Sequence, residues 1–282
     1  MPASAPVSEP PPRSVRAAAL AQGSLALHVV AAAVVLARPP LWPWALAAVL
    51  ADHLVLSGAG LWPRSHLLGP NWTHLPESAA RAVAITIDDG PDPQITPRVL
   101  DLLDARAARA TFFCIGERVA SHPALAREIV ARGHGLENHT YRHPLNFSLL
   151  GPRGIAEEVR RGQEAIGAAT GVVPRFFRAP AGLRNVFLEP VLARANLSLV
   201  SWTRRGFDTV NASPERVLGK LTRHLAGRDI LLLHDGHAAR TADGNAVVLD
   251  VLPRLLEALS AAGLTSVTLA AAFGAPRGAV KA

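Results

Sequence analysis

Residues 82–91 read Ala82-Val83-Ala84-Ile85-Thr86-Ile87-Asp88-Asp89-Gly90-Pro91. The run Ala82–Ile87 is apolar and β-branched with no polar alternation, the pattern of a strand buried on both faces of a parallel sheet. It stops abruptly at two adjacent carboxylates, which repel each other unless a cation or an arginine lies close. Gly90-Pro91 then turns the chain. On its own such a carboxylate pair also suits an Asx-type turn or a helix cap.

Further along, the same kind of run recurs at 110–115, 134–137, 175–178, 197–202, 229–234 and 265–269. Helical periodicity falls between the runs, near 95–108, 118–132, 154–169, 186–195, 214–226 and 247–262. Strict alternation of strand and helix predicts an α/β fold with a parallel sheet and helical crossovers. The pattern contains seven strands, one short of a closed eightfold barrel. In such a barrel the strand C-termini open on one rim, and the polar residues of this sequence fall at those ends. His139 and His143 follow the third strand, Arg178 ends the fourth, Asp208 lies beyond the fifth, and His234-Asp235 ends the sixth.

The N-terminal part has a different texture. Residues 1–16 form a Pro-rich tail, expected to be extended and disordered. Residues 17–63 hold two apolar stretches, Ala17 to Ala37 and Leu41 to Trp62, separated by Arg38-Pro39-Pro40. About twenty helical residues span the hydrocarbon core of a bilayer. The stretches therefore predict a helical hairpin in the membrane, the second span being the weaker because Asp52 and His53 sit near its middle. Trp42, Trp44, Trp62 and Trp72 cluster where an interfacial aromatic belt would place them. A buried helical pair of a soluble protein and, for the first stretch, a signal peptide are the other readings. If both stretches span a bacterial-type inner membrane, Arg13, Arg16, Arg64 and Arg81 share one side, and the positive-inside rule puts the following domain on the cytoplasmic face. If only the first spans, the domain lies outside. Residues 64–80 read as a linker, 81–270 as the catalytic domain and 271–282 as a C-terminal tail.

Of the 282 residues, 49% are hydrophobic and 18% charged, which excludes a wholly disordered or fibrous chain. The single cysteine, Cys114, excludes an internal disulfide framework and a thiolate metal site. The net charge of +7 would fit a nucleic-acid binder. However, the cations are arginines apart from Lys220 and Lys281, no five are consecutive, and no nucleic-acid partner is expected.

The spacing His139-Thr140-Tyr141-Arg142-His143 places two imidazoles at i and i+4. On a helical turn both would face one way, as a divalent metal requires. A carboxylate from the first strand would complete two histidines and one aspartate with open positions, the ligand set of a catalytic rather than a structural site. A two-histidine, one-carboxylate iron oxygenase shares that set, but nothing in the sequence points to its cosubstrate. Arg178-Ala179-Pro180-Ala181-Gly182 combines a rigid proline with small residues and so exposes main-chain N–H groups to a substrate. His234, ending the apolar run Ile230–Leu233, sits where its pKa can be tuned for proton transfer.

Taken in order, these segments resemble the polysaccharide deacetylase family, the NodB-homology domain of carbohydrate esterase family 4, over about residues 80–270. The resemblance implies a distorted seven-stranded (β/α) barrel of the NodB type behind the N-terminal hydrophobic helices. It implies a hydrolase that removes an N-acetyl group from an amino sugar of a polysaccharide, envelope glycan or glycolipid. It makes Asp88 the base, Asp89, His139 and His143 the ligands of one divalent ion (zinc, with cobalt, nickel or manganese as substitutes), and Arg178 the residue that orients the base. Pro180, Ala181 and Trp202 fall at the oxyanion and substrate positions, and His234 matches the general acid. Asp208 is expected to tether Arg178. The sequence departs from the family at Ile87, usually Phe, at Ala181, usually Tyr, and at Arg205 and Asp208-Thr209, where the family has an Asp and then Asp-Trp. Two further readings are a metal-dependent amide or ester hydrolase on a non-sugar substrate and an inactive, membrane-tethered glycan-binding protein. Membrane anchorage favours a lipid-linked or envelope glycan as the substrate.

Overall fold

The computed structural model describes residues 15–274, with side chains from Leu20 onward. The expected tail 1–16 lies outside the described residues except for its last two positions, which open the first helix. Helices α1 (Val15–Ala37) and α2 (Trp42–Leu61) form an antiparallel hairpin about a tight turn at Pro39–Leu41. Both are long and apolar enough to cross a membrane, and little of either is buried inside the protein.

The remaining chain alternates strand and helix. In order come β1 (Ala82–Asp88), α3 (Thr96–Asp104), β2 (Ala110–Cys114), α4 (Gly116–Ser121), α5 (Pro123–Ala131), β3 (Gly135–Asn138), α6 (Pro152–Thr170), β4 (Phe176–Phe177) and α7 (Leu188–Arg194). Then follow β5 (Ser198–Leu199), β6 (Arg204–Arg205), α8 (Pro214–Thr222), β7 (Ile230–His234), α9 (Val247–Ala261), β8 (Thr265–Ser266) and α10 (Leu269–Phe273). Every pairing between these strands is parallel, in the order β5-β4-β3-β2-β1-β7-β6, with β8 on the lower end of β1. The sheet curls into a half-closed barrel. Val83, Ile85, Ile87, Phe112, Leu231 and Leu233 pack outward against the helices. Ala84, Phe113, Phe176, Val200 and Ile230 fill the interior.

Among the described residues eight strands stand where seven were expected. The predicted strand 197–202 is shorter, and beyond it the backbone of Trp72 pairs beside Val200: Trp72 N donates to Leu199 O at 2.9 Å and Ser201 N to Trp72 O at 2.8 Å. The chain then crosses to β7, where Thr203 N donates to Ile230 O at 2.8 Å and β6 begins. β6 consists of two arginines, so no apolar run announces it. The predicted helix 118–132 divides into α4 and α5 at Pro123, which has no N–H to continue a helix.

Residues 64–80 are packed into the domain. Leu75 is fully buried, and Ser65, Leu68 and Asn71 are buried too. The end of α2 is fastened beside the barrel mouth. Arg184 N donates to Gly60 O at 3.1 Å, Ser201 Oγ to Pro63 O at 2.6 Å and Arg64 Nη1 to Thr203 O at 3.2 Å. A Cβ on Gly60 would overlap the Arg184 carbonyl, so this approach requires glycine.

Candidate active site

The parallel register sets Asp88, the last residue of β1, level with His234, the last of β7, and with Phe113 of β2. Thr86 and Asp88, two apart on one strand, point to the same side. Arg178, fully buried, reaches across to both. Its Nη1 donates to Asp88 Oδ1 at 2.6 Å and to Thr86 Oγ1 at 2.8 Å, and its Nη2 to Ser201 O at 2.9 Å. The guanidinium lies 4.1 Å from the ring centre of Phe113, so both its planar face and its edge are held.

Asp89 turns the other way, with φ 74°, and its N–H donates to Phe113 O. Its Oδ1 lies 3.3 Å from His139 Nε2 and 3.4 Å from His143 Nε2. The expected helical turn over 139–143 is absent. Thr140 and His143 are left-handed, with φ 67° and 55°. The loop is shaped instead by Glu158 of α6, whose Oε2 accepts the N–H groups of Tyr141 at 3.1 Å and Arg142 at 2.8 Å. Both imidazoles nevertheless converge on Asp89.

These residues fit a divalent ion. Asp89 Oδ1 is buried and has no hydrogen-bond donor. His139 Nδ1 donates to Arg178 O at 2.8 Å, which leaves Nε2 as a lone pair aimed at Asp89. Burial and the neighbouring His139 imidazole push His143 down to about 4, so the His143 ring is neutral at pH 7. The Asp89 carboxylate and the two ring nitrogens therefore face one point, and the separations of Asp89 Oδ1 from each ring nitrogen match the edge of about 3.3 Å in a tetrahedron of about 2.0 Å bonds. Burial opposes the charge of Asp89, but the His139 and His237 imidazoles bring its pKa below the usual carboxylate range.

His234 faces the same point from the opposite wall. Its Nδ1 donates to Asp208 Oδ1 at 2.8 Å, and its main-chain N–H to Asp208 Oδ2 at 2.7 Å. Burial lowers the pKa of this imidazole, but Asp208 outweighs it, and the net shift is upward. Asp208 thus holds His234, not Arg178, for which it was expected. Phe207, with φ 60°, turns the loop so that the carboxylate reaches β7.

A cleft of about 460 Å³ opens above these groups, lined by Asp88, Asp89, His139, His143, Ala181, Trp202 and His234 among others. Ala181 is exposed on its wall with φ 53°, and Pro180 is buried behind it. Arg178 and Asp208 act from below the floor. Arg118, Arg142 and Arg205 also line the cleft, and Arg205 lies 5.3 Å from the Trp202 ring. His237 was not anticipated. Its Nδ1 meets Asp89 Oδ2 at 2.9 Å, and its Nε2 accepts from Arg118 at 3.3 Å. The pair His234…His237 after an apolar strand was the signal available. Gly236 lets this turn pass, because a Cβ there would overlap the Asp89 carbonyl.

Residues 76–200 match the polysaccharide deacetylase family model. A chitooligosaccharide deacetylase from Bradyrhizobium is 38% identical over 161 residues, 57% of this chain and 73% of the relative. The chain belongs to the polysaccharide deacetylase family. A peptidoglycan-N-acetylglucosamine deacetylase from Bacillus cereus is 36% identical over 62% of this chain and 82% of its own length. The solved family 4 carbohydrate esterase from Streptomyces lividans superposes with a TM-score of 0.61 at 33% identity, covering 67% of this chain and 92% of that one. The matched region holds β1 to β5 with Asp88, Asp89, His139, His143 and Arg178; Asp208 and His234 lie beyond it, and the apolar hairpin precedes it.

Proposed function

We propose that this protein is a metal-dependent, membrane-anchored hydrolase that removes the acetyl group from an N-acetylated amino sugar of a lipid-linked or envelope glycan. The observation that carries the reading is the position of Asp88. Its Oδ1 is clamped by Arg178 at 2.6 Å, and its Oδ2 lies 3.9 Å from His139 Nε2, with His234 level with it on β7.

Asp89, His139 and His143 would hold the ion, which supplies Lewis acidity toward water and a carbonyl when bound. Asp88 takes the proton from the attacking water, its orientation set by Arg178 and Thr86. Ala181 lines the cleft, where its main-chain N–H would donate to the carbonyl oxygen as it becomes an oxyanion, and one such donor is worth about 3–4 kcal/mol. His234, whose pKa Asp208 raises, gives its Nε2 proton to the departing nitrogen. Acetate and a free amine result.

Two features support a substrate at a membrane surface. The end of α2 is bonded to Arg184, two residues from cleft-lining Gly182, so the active site cannot swing far from the hairpin. Asn185, next along, ties down the loop ending at Leu150, whose Leu145 projects, 97% exposed, at the cleft rim. The arginines of the cleft suit an anionic carrier group such as a sugar-linked phosphate. Arg64 and Arg81 on the domain side of the hairpin favour the cytoplasmic face.

The test uses the full chain loaded with zinc. Acetate release is measured on N-acetylglucosamine oligomers in solution and on an acetylated amino-sugar phospholipid in vesicles. The reading predicts release that a chelator stops and zinc restores, with kcat/KM at least tenfold higher on vesicles. No acetate from any acetylated amino sugar by the zinc-loaded protein would remove the deacetylase reading, and equal rates would remove the lipid preference.

A further inference from the structure

The hairpin carries a polar cluster at mid-height that the deacetylase reaction does not use. His28 lies at the centre of the apolar run Leu20–Ala37 of α1, and Asp52 and His53 lie at the centre of α2. Ser24 Oγ donates to Asp52 Oδ2 at 2.6 Å. His28 Nδ1 lies 2.8 Å from the Ser24 carbonyl one turn earlier, so Nδ1 carries the proton and Nε2 presents a lone pair. That Nε2 is 3.1 Å from Nε2 of His53, and the two rings meet edge to face with centroids 5.2 Å apart. One ligand atom from each of His28, Asp52 and His53 lies within 4.8 Å of the other two.

This is the arrangement that metal-binding histidines show, with the second ring nitrogen donating to a backbone carbonyl and the carboxylate oriented by a hydroxyl. Charge points the same way. Among the described residues no lysine or arginine forms an ion pair with Asp52, although a carboxylate between two apolar helices is costly without a cation. We propose that His28, Asp52 and His53 form a second metal site, which takes a divalent ion of the imidazole-preferring class, such as zinc, cobalt or nickel, and clasps α1 to α2. The site owes nothing to the catalytic ligands and stands whether or not the deacetylase reading does. The competing arrangement is a plain hydrogen bond in which His53 Nε2–H donates to His28.

The experiment counts zinc ions per chain on the full-length protein in detergent after dialysis against free zinc. The wild type should hold two ions. The double variant His28→Ala, His53→Ala should hold one and keep its acetate release, and Asp89→Asn should also hold one. A cobalt-substituted Asp89→Asn protein should show a d–d absorption band that disappears when His53→Ala is added. Should the double variant fail to fold, Asp52→Asn keeps an acceptor for Ser24 and should weaken the second zinc at least tenfold. A double variant that holds as many zinc ions as the wild type, or unchanged affinity in Asp52→Asn, would each overturn the clasp.

Discussion

Asp208 has two oxygens, and both are spent on His234, one on the ring and one on the main chain. Burial alone would lower the pKa of that imidazole; the carboxylate is what raises it. Asp208→Asn keeps the shape but removes the charge, so the pKa of His234 falls. Because the proposed reaction uses imidazolium, the alkaline limb of the kcat profile should move to lower pH, and kcat at pH 8 should drop more than about tenfold while KM stays near its wild-type value. The same contact stabilises the fold fully below the ordinary imidazole pKa and is lost as pH rises through the raised one. A pH–rate profile of the variant that overlays the wild type would contradict this role. The sequence placed Asp208 near the site but on the wrong partner, because a left-handed Phe207 decides which strand it reaches.

At the scale of elements, the metal loop depends on α6. Glu158 accepts two N–H groups of a loop whose left-handed residues no helix supports. Glu158→Ala leaves those donors unpaired, at a cost of about 1–3 kcal/mol, and should lower zinc affinity about 10- to 100-fold, as loss of an outer partner does. Glu158→Gln, which keeps an oxygen acceptor, should recover part of the affinity; both are read by competition with a chromogenic chelator. The strands that end in functional residues were legible because each is an apolar run closed by a polar residue, as in Ile230–His234. The histidine pair was legible by composition but not by conformation, since the i, i+4 spacing suggests a helix where the structure has a loop. β6 was not legible, because two arginines join the sheet through their backbone alone. His237 was overlooked because its link to Asp89 exists only once β7 stands beside β1.

The whole molecule couples an apolar hairpin to a hydrolase through a short seam at the end of α2. Gly60 meets the Arg184 carbonyl, and the adjoining residues bind Ser201 and Thr203 next to Trp202. Gly60→Val should separate the hairpin from the domain, at a cost of about 1–3 kcal/mol as for other overpacked sites. Activity on soluble oligomers should survive, and the advantage on vesicle-borne substrate should fall toward unity. An unchanged ratio of the two activities would show that the hairpin does no more than tether.

The centre of the proposed mechanism is the division of labour between adjacent carboxylates, Asp89 for the ion and Asp88 for the proton. The direct measurement is acetate release by zinc-loaded Asp88→Asn, with bound zinc determined on the same sample. The account predicts zinc content equal to wild type and a turnover reduced about 10²–10⁴-fold. Wild-type turnover, or loss of the zinc along with the activity, would contradict it.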